Sequence, residues 1–259
     1  MKHLKSGWLT AFTRRFVCLT LLLTFALAIN TAFASDAKVF RFNISPNGYP
    51  PYMIVDRDAP SGIMWDVVSL ITERLGYELV AKKIPRKRVD QMLLDSYIDG
   101  TSRAVEWTQN PEDFLFTEPV VDVQEVFFTP KSTGETYHSP EDLFSKTVVT
   151  HLGYIYPVLE PHFESGAIKR FDVPKEIDMF KFLLHGDRFD VAVMDLLVGK
   201  WMLKNEGLQD QFVSSGGISS YGFRIMLRKE SRPFAEKFNA ELARIRKSGE
   251  LAAILANYR

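Results

Sequence analysis

The sequence predicts an α/β fold made of two α/β units that are joined by two long strands. Short runs of β-forming residues alternate with segments of helical periodicity after residue 34, which is typical of this class. The polar segment Lys131–Asp142 is predicted to be a linker, and the alternation starts again after it. The long alternating runs Val120–Thr129 and Tyr221–Leu227 indicate two crossings between the units. Such a chain forms two lobes with a ligand cleft between them, which close by a hinge motion.

The first unit begins with the alternating strand Val39–Ile44, followed by a loop rich in turn formers and aromatic residues, residues 45–52. A helix is predicted over Asp66–Leu75, because apolar residues recur at helical spacing and Gly76 is a typical C-terminal stop. The remaining predicted elements of this unit are the strand Leu79–Ile84, the helix Arg88–Tyr97, the short buried run Phe114–Phe116 and the strand Val120–Thr129.

The second unit repeats the alternation of strands and helices, and a Gly/Ser-rich loop, Ser214–Ser220, ends it. Its predicted elements are the strand Thr147–Thr150, a short helix Pro157–Phe163, the strand Ile168–Val173, the helix Glu176–Leu184, the strand Phe189–Met194 and the helix Leu196–Lys204. The long run Tyr221–Leu227 follows the loop, and two helices, Phe234–Arg246 and Leu251–Tyr258, close the chain.

The first 34 residues have the composition of a secretory signal peptide. They carry four basic residues and no acidic residue, an apolar run over Phe16–Ile29, and the small-residue cleavage pattern Ala32-Phe33-Ala34. An uncleaved membrane anchor is the alternative, but the run is short against the ~20 residues of a span. Cleavage would give a mature chain that starts at Ser35 and lacks cysteine, because Cys18 is the only one.

Charge and residue types exclude several functions. Lys and Arg number 32, as do Asp and Glu, so the formal net charge is zero and nothing indicates nucleic acid binding. The mature chain has no cysteine for a disulfide or a thiolate nucleophile, and its histidines lack metal-ligand spacing. Phosphate-loop, dinucleotide and serine-nucleophile motifs are absent from the sequence. We therefore predict neither a metal nor a cofactor.

A series of short motifs extends over nearly the whole mature chain. They are Pro50-Pro51-Tyr52, Gly62 with Asp66, Pro85-x-x-Arg88, Ile98-Asp99, Phe116-Thr117-Glu118-Pro119, Ser139-Pro140-Glu141-Asp142-Leu143, Phe189–Asp195, Tyr221-Gly222-Phe223 and Arg246-Lys247-Ser248-Gly249. In this order and spacing they resemble the extracellular solute-binding proteins that serve ATP-driven transporters of polar amino acids. The resemblance implies a type II periplasmic-binding fold. The first lobe would comprise residues 35–127 and 222–259, and the second residues 128–221.

The resemblance also implies a non-catalytic function in the periplasm. The protein would capture a small polar solute, close around it and present it to an inner-membrane ABC permease, and a monomer is expected. An alternative keeps the fold but delivers the closed form to a membrane sensor. A third alternative is an enzyme, because related folds include periplasmic dehydratases that act on prephenate-like acids. Such an enzyme needs a general acid that faces an anionic substrate, and Glu106 beside Arg103 is the combination that the sequence offers.

An amino-acid site must neutralise an ammonium group and cover the aliphatic part of the ligand. Asp195 matches the ammonium-binding aspartate of the resembling family, and its alternative role is the N-cap of the helix from Leu196. Tyr49 and Tyr52 match an aromatic lid after the first strand. The alternative for both tyrosines is hydrophobic packing of the proline-rich loop.

The carboxylate clamp departs from the resembling family, whose Thr-x-Glu-Arg element has no arginine counterpart over Thr108–Phe116. Arg103 and Arg88 are the candidates to replace it, because the guanidinium fork suits a carboxylate. The alternatives are a solvated surface charge for Arg103 and a structural role for Arg88. Glu106 maps to the cleft wall, where it would pair with Arg103, meet a cationic ligand, or simply face solvent.

A second departure lies in the second lobe, where the resembling family often has Gly-Thr-Thr at a helix start. This chain has Gly153-Tyr154-Ile155-Tyr156-Pro157 instead. Gly153 permits close approach of the backbone to a ligand. Tyr154 and Tyr156 would narrow the pocket or stack on a ring, and packing within the lobe is the alternative for both.

Overall fold

The structure is a computed structural model, which describes residues 38–55, 58–185 and 188–258. These residues form ten strands: β1 Lys38–Ile44, β2 Tyr77–Lys83, β3 Gly100–Arg103, β4 Phe114–Phe116, β5 Val121–Pro130, β6 Thr147–His151, β7 Lys169–Val173, β8 Val191–Asp195, β9 Phe212–Ser214 and β10 Ser219–Arg228. The same residues form seven α-helices: α1 Ile63–Arg74, α2 Arg86–Leu94, α3 Glu160–Glu164, α4 Glu176–His185, α5 Leu196–Asn205, α6 Arg232–Ser248 and α7 Glu250–Ala256.

Two ten-residue strands in the middle of the sheet connect its two halves. The strand order is β2-β1-β3-β10-β5-β8-β6-β7, with β4 beside β10 and β9 beside β5. β10 pairs with β3 through Arg224–Leu227 and continues beside β5 through Ser219–Phe223, antiparallel in both cases. β5 pairs in turn with β8 through Glu125–Phe128. β5 and β10 are therefore the two crossings that the sequence predicts.

Each half of the sheet carries its own hydrophobic core. In the first lobe (β1–β4, α1, α2, α6 and α7), the helices pack their apolar stripes on the sheet, and Ile71 and Phe238 are fully buried in this core. In the second lobe (β6–β9 and α3–α5), both faces of β8 are covered. Val191 and Val193 belong to one core cluster, and Ala192 and Met194 to the other. This alternation is expected of a parallel strand with helices on both sides.

Asp195 marks the point where β8 ends and α5 begins. Its side chain accepts hydrogen bonds from the backbone N–H groups of Leu197 and Val198, both at 3.0 Å, so it is the N-cap of α5. Further along the helix, Gly199 lies against the ring of Phe128 in β5, and a Cβ there would be far inside van der Waals contact. α5 therefore packs directly on the crossing strand.

The sequence does not predict β3 or β9. The four residues Gly100–Arg103 lack apolar alternation, and they form a strand because β1 and β10 flank them. The helix predicted over Arg88–Tyr97 ends earlier, at Leu94, since Ser96 has a φ of 62° that a helix does not accommodate. The predicted lobe boundaries, at residues 127/128 and 221/222, stay a prediction.

From Val39 onward the chain forms one compact unit. The signal peptide predicted for residues 1–34 lies outside the described residues. In the part of the chain that the structure describes, no helix combines the length and the apolarity that a bilayer crossing requires.

We expect Gly199→Ala to destabilise the protein, although alanine is the better helix former. Better helix propensity contributes about 1 kcal/mol, whereas forcing a methyl group into the ring of Phe128 costs about 1–3 kcal/mol. A net loss in the free energy of unfolding, measured by urea denaturation, is the expected result. Lys200→Ala, at the exposed neighbouring position, is the control and should change little. A more stable Gly199→Ala variant would contradict the packing described above.

Candidate ligand-binding site

A cavity of about 110 Å³ lies between the two lobes. It is lined at the carboxyl ends of the parallel strands, where Asn43 of β1, Arg103 of β3, His151 of β6 and Asp195 of β8 face it. The loops after β1 and β6, the first residues of α2 and α4, and the crossing strands complete the wall. This is the position that the doubly wound pattern predicts for a ligand.

Two arginines of the first lobe share a single carboxylate beside the cavity. Arg103 is 3% exposed and donates from Nη2 to Asp90 Oδ1 at 2.9 Å. Arg86 donates from Nη1 to the same oxygen at 3.3 Å. Burial, with the nearby Arg86 charge as a second cause, lowers the pKa of Arg103 to about 9. Two guanidinium groups against one carboxylate leave this side of the cavity positive.

Three carboxylates line the other parts of the cavity. Glu125, Glu176 and Asp195 are each at most 3% exposed. Among the described residues none of them forms an ion pair with a lysine or an arginine. The same residues contain no group of three His, Cys, Asp or Glu side chains that could hold a metal ion. Apart from the imidazole of His151 beside Glu176, the carboxylates of this part of the wall therefore have no cationic side chain of the described residues as a partner.

Glu125 on β5 is held by neutral donors. Trp107 Nε1 donates to its Oε1 at 3.2 Å, and Ser219 Oγ donates to its Oε2 at 2.6 Å. Burial raises the pKa of Glu125 to about 7, because these hydrogen bonds offset the lost hydration only in part. Near neutral pH this carboxyl therefore exists in both protonation states.

Glu176, at the start of α4, is held differently. Tyr154 Oη donates to its Oε1 at 2.9 Å, and His151 Nε2 lies 3.5 Å from the same oxygen. The imidazole of His151 also packs on the ring of Tyr154, with 4.0 Å between the ring centroids. These three side chains form one polar cluster on the second-lobe wall.

Asp195 uses both carboxylate oxygens within the protein. Its Oδ1 accepts from the N–H groups of Leu197 and Val198 and from Tyr52 Oη at 3.1 Å, and its Oδ2 accepts from Gln124 N at 2.9 Å. Burial raises the pKa of Asp195, and the four hydrogen bonds act in the opposite direction. The carboxylate thus joins β8, α5, the crossing strand β5 and the first lobe.

Aromatic rings close the cavity from both lobes. Tyr49 stacks on Tyr52 with 5.6 Å between centroids, and it meets Tyr154 of the second lobe edge-on at 6.1 Å. Phe223 of β10 contacts Tyr52 at 5.3 Å and Trp107 at 5.7 Å. With the bond from Tyr52 to Asp195, these contacts bridge the lobes, so the structure represents the closed arrangement.

Arg170 of β7 fixes the second-lobe loop that carries Tyr154 and Tyr156. Its Nη2 donates to the carbonyl oxygen of Tyr154 at 2.8 Å, and its guanidinium lies over the ring of Tyr156 at 5.5 Å. Glu160 and Asp172 hold the same guanidinium at 2.9 and 3.0 Å. The loop therefore presents its tyrosines to the cavity in a defined orientation.

The structure brings most of the predicted site residues together but leaves three outside. Tyr49, Tyr52, Arg103, Tyr154, Tyr156 and Asp195 line the cavity. The three predicted residues that are not in its lining are Arg88, Glu106 and Gly153. Arg88 is exposed on α2, and Glu106 is exposed in the turn Val105–Trp107. The pair of Glu106 with Arg103 does not form, because Arg103 pairs with Asp90.

Gly153 has a φ of 84°, and its Cα faces the side chain of Lys87 rather than the cavity. Sequence reasoning missed ten lining residues with polar or aromatic side chains, which are Asn43, Ser45, Arg86, Thr101, Ser102, Trp107, Glu125, His151, Glu176 and Phe223. For Glu125, the sequence did contain one indication of a functional role. It falls on the apolar face of β5, in register with Val123 and Phe127, where a charged residue is unusual.

We expect the stability of the protein to fall as the pH rises through the titration of Glu125. The folded-state pKa of about 7 lies above the ordinary value of 4.5 for a glutamate, so this group does not affect folding below pH 4.5 and disfavours it increasingly up to pH 7. Above pH 7 the cost levels off at about 3 kcal/mol. Glu125→Gln should remove this trend, so its free energy of unfolding exceeds the wild-type value most at pH 8.

Chemical denaturation of both proteins from pH 4.5 to pH 8 measures the difference. Glu106→Gln, on the exposed turn, is the matched control and should follow the wild type at every pH. A pH-independent difference between Glu125→Gln and wild type would show that Glu125 has the same pKa in the folded and unfolded protein, contrary to its buried surroundings.

Solved structures with similar folds include several ligand-binding proteins. A mutant of ArgBP from T. maritima is 25% identical to this chain with a TM-score of 0.74, and the match covers 86% of this chain and 96% of that one. A histidine kinase sensor domain with similarity to periplasmic binding proteins is 20% identical, with a TM-score of 0.75 and coverages of 86% and 97%. The substrate-binding protein of an ABC uptake transporter from Streptococcus pneumoniae, with bound histidine, is 19% identical, with a TM-score of 0.71 and coverages of 86% and 93%.

A search of curated proteins gave no match. The structural matches confirm the α/β fold of two lobes joined by two strands, and a family model confirms the resemblance seen in the sequence. The model for bacterial extracellular solute-binding proteins, family 3, matches residues 43–259, which include all the residues that line the cavity. The chain therefore belongs to the bacterial extracellular solute-binding proteins, family 3.

Proposed function

We propose that the protein captures a compact amino acid or a related solute in the interlobe cavity and delivers it to an ABC permease. Family membership supports capture of a solute outside the cytoplasm. The structural relatives include the substrate-binding protein of an ABC transporter and a sensor domain of a histidine kinase. Binding would stabilise the closed arrangement of the lobes, and the solute would leave chemically unchanged.

One observation carries the proposal. Four buried side-chain atoms lack a hydrogen-bond partner among the described residues: Asn43 Oδ1, Ser102 Oγ, Arg103 Nη1 and His151 Nδ1. All four residues line the same cavity. Leaving a buried polar atom unsatisfied costs about 1–3 kcal/mol. A polar solute that reaches these atoms from both lobes would satisfy them together and would hold the lobes closed.

The charges and the size of the cavity suggest the chemistry of this solute. An acidic group would meet Arg103 Nη1, on the side where two guanidinium groups share Asp90. A dry cavity of about 150 Å³ accommodates benzene, which has six non-hydrogen atoms, so about 110 Å³ suits a solute with roughly four or five. The smallest amino acids come nearest to this size, whereas arginine far exceeds it. Contact of the ligand with Tyr49, Tyr52 and Tyr154, and the ammonium-binding role of Asp195, stay predictions.

The closed arrangement depends on contacts that an opening motion would break. Tyr52 reaches Asp195, and Asn47 Nδ2 donates to the carbonyl oxygen of Pro174 at 3.3 Å. β5 and β10 would act as the hinge. A permease or a membrane sensor would then distinguish the liganded from the free protein by the relative position of the lobes.

Arg103→Met should lose most of the affinity for acidic and zwitterionic solutes. A hydrogen bond to a charged group contributes about 1.5–3 kcal/mol, so the dissociation constant should rise roughly 10- to 100-fold. The measurement is a thermal-shift screen over the twenty amino acids, β-alanine, γ-aminobutyrate, small amines and small organic acids, followed by calorimetry. We expect glycine, alanine or serine to raise the Tm more than arginine does.

Arg88→Met is the matched control, because Arg88 is exposed on α2 near the cavity but does not line it. Its affinities should equal those of the wild type. A screen in which no amino acid raises the Tm would refute the proposed function. Unchanged affinity of Arg103→Met would refute the role of this arginine.

Uptake of a labelled amino acid that binds in the screen should stop when the gene is deleted from the source bacterium. The full chain should restore uptake, and a chain without residues 1–34 should not, because we propose that these residues are the export signal. The mature protein should begin at Ser35 by mass spectrometry. Normal uptake in the deletion strain, together with loss of a response to the amino acid, would assign the protein to a membrane sensor instead.

A further inference from the structure

Most of the hydrogen-bonding capacity of Asp195 is used within the protein. Three of its four hydrogen bonds end on Oδ1, from Leu197 N, Val198 N and Tyr52 Oη, and one ends on Oδ2, from Gln124 N. Oδ1 is therefore saturated, and Oδ2 keeps one acceptor position. Three of the bonds come from backbone N–H groups that the helix cap and the strand register require. Asp195 therefore has less free acceptor capacity for a cationic ligand group than a carboxylate that accepts only two hydrogen bonds.

Glu176 has a partner that can carry a positive charge. Its Oε1 accepts from Tyr154 Oη, and the imidazole of His151 lies 3.5 Å away from the same oxygen. Protonation of His151 would neutralise this carboxylate without a ligand. A ligand cation at Glu176 would therefore compete with a neighbour that the fold already supplies.

Glu125 differs from both. Each of its oxygens accepts one hydrogen bond from a neutral donor, Trp107 or Ser219, so about half of its acceptor positions remain. No lysine, arginine or histidine forms an ion pair with it in the described ranges, although it is 3% exposed. A buried carboxylate without a cation is costly and is normally paired.

The surroundings of Glu125 also suit an amine. Trp107, which donates to Glu125, lines the cavity together with Phe223, with 5.7 Å between their ring centroids. The faces of aromatic rings attract ammonium groups. Arg103, which would receive the acidic group of the solute, projects from β3, whereas Glu125 projects from β5, with β10 between these two strands in the sheet.

We infer that Glu125, and not Asp195, receives the ammonium group of the solute, and that binding of an amino acid expels a proton from Glu125. This inference rests on the proposed function and specifies which carboxylate confers selectivity for amines over simple acids. Asp195 then has a structural role, because it holds the elements that form the cavity in position.

Proton release follows from the protonation state of Glu125 before binding. In the closed arrangement without a ligand, burial holds its pKa at about 7, so at pH 6.5 a solute that enters this arrangement meets a mostly protonated carboxyl, and its ammonium group favours the ionised form. The groups that face Glu125 are Trp107, Ser219 of β10, Asp195 opposite it on β8, and the phenols of Tyr156 and Tyr221. The only one of them that is charged near neutral pH is Asp195, and its negative charge works against ionisation of Glu125 in the free protein.

Calorimetry at pH 6.5 in buffers of different ionisation heat counts the protons. The probes are glycine, L-alanine, L-serine and γ-aminobutyrate, each paired with the acid that lacks the amine, which is acetate, propionate, 3-hydroxypropionate or butyrate. We expect release of roughly 0.8 proton per bound amino acid and none with the paired acid. Glu125→Gln should abolish the release and weaken amino-acid binding at least tenfold, without weakening the binding of the acids.

Asp195→Asn should retain part of the proton release, because it leaves Glu125 in place but removes the neighbouring charge that opposes its ionisation, and Glu106→Gln should behave as the wild type. Amino-acid binding without proton release would overturn the inference while leaving the proposed function intact. Proton uptake would also overturn it, since a protonated Glu125 would then be donating to the acidic group. The count in the wild type needs no variant, so it decides even if Glu125→Gln does not fold. Failure of all four amino acids to bind would instead refute the proposed function for compact amino acids.

Discussion

The carboxylate of Asp195 is the interaction on which the closed site depends. It ends β8, caps α5, accepts a hydrogen bond from the crossing strand β5 through Gln124 N, and accepts another from Tyr52 of the first lobe. A helix cap alone stabilises by about 1 kcal/mol, but here one buried carboxylate satisfies three backbone N–H groups that have few other partners. Four structural elements meet at this side chain, so their relative positions, and hence the shape of the cavity, follow from its geometry.

Two sets of interactions affect closure of the lobes: contacts within the protein, and contacts that a solute would make. The bond from Tyr52 to Asp195 and the edge-on contact of Tyr49 with Tyr154 join the lobes through the protein alone. The unpartnered atoms on Ser102, Arg103 and His151 oppose closure, because each is buried without a hydrogen bond among the described residues. The two contributions have opposite sign, so under the proposed function the lobes would respond to a solute that removes the second contribution without disturbing the first. If contacts within the protein alone held the lobes closed, a solute would not change the equilibrium between the open and closed arrangements.

Most of the fold could be predicted from the sequence, because its elements carry strong local signals. The buried strand before Asp195 and the helix after it show both the apolar run and the cap, and the structure confirms them. The sequence of β3 contains no such signal, because Gly100–Arg103 forms a strand only through its pairing with the neighbouring strands. The same limit applies to the site. Arg86 and Trp107 reach the cavity because α2 and the turn after β3 converge there, which no local pattern encodes, whereas the charge of Glu125 on an apolar strand face was visible.

The position of Arg103 changes how an acidic group can bind. A guanidinium with both terminal nitrogens free grips a carboxylate through two parallel hydrogen bonds. Here Nη2 already donates to Asp90, and Nη1 is the nitrogen that is buried without a partner, with Ser102 Oγ as a further unpartnered atom on β3. Such a contact, through Nη1 alone, would fix the direction of the acidic group less strictly than a bidentate contact does. The carboxylates and aromatic rings on the rest of the wall would then contribute more to the selectivity for the ligand. The sequence has no arginine between Thr108 and Phe116, and under the proposed function the selectivity of the site would therefore depend more on the amine end of the solute than on the acid end.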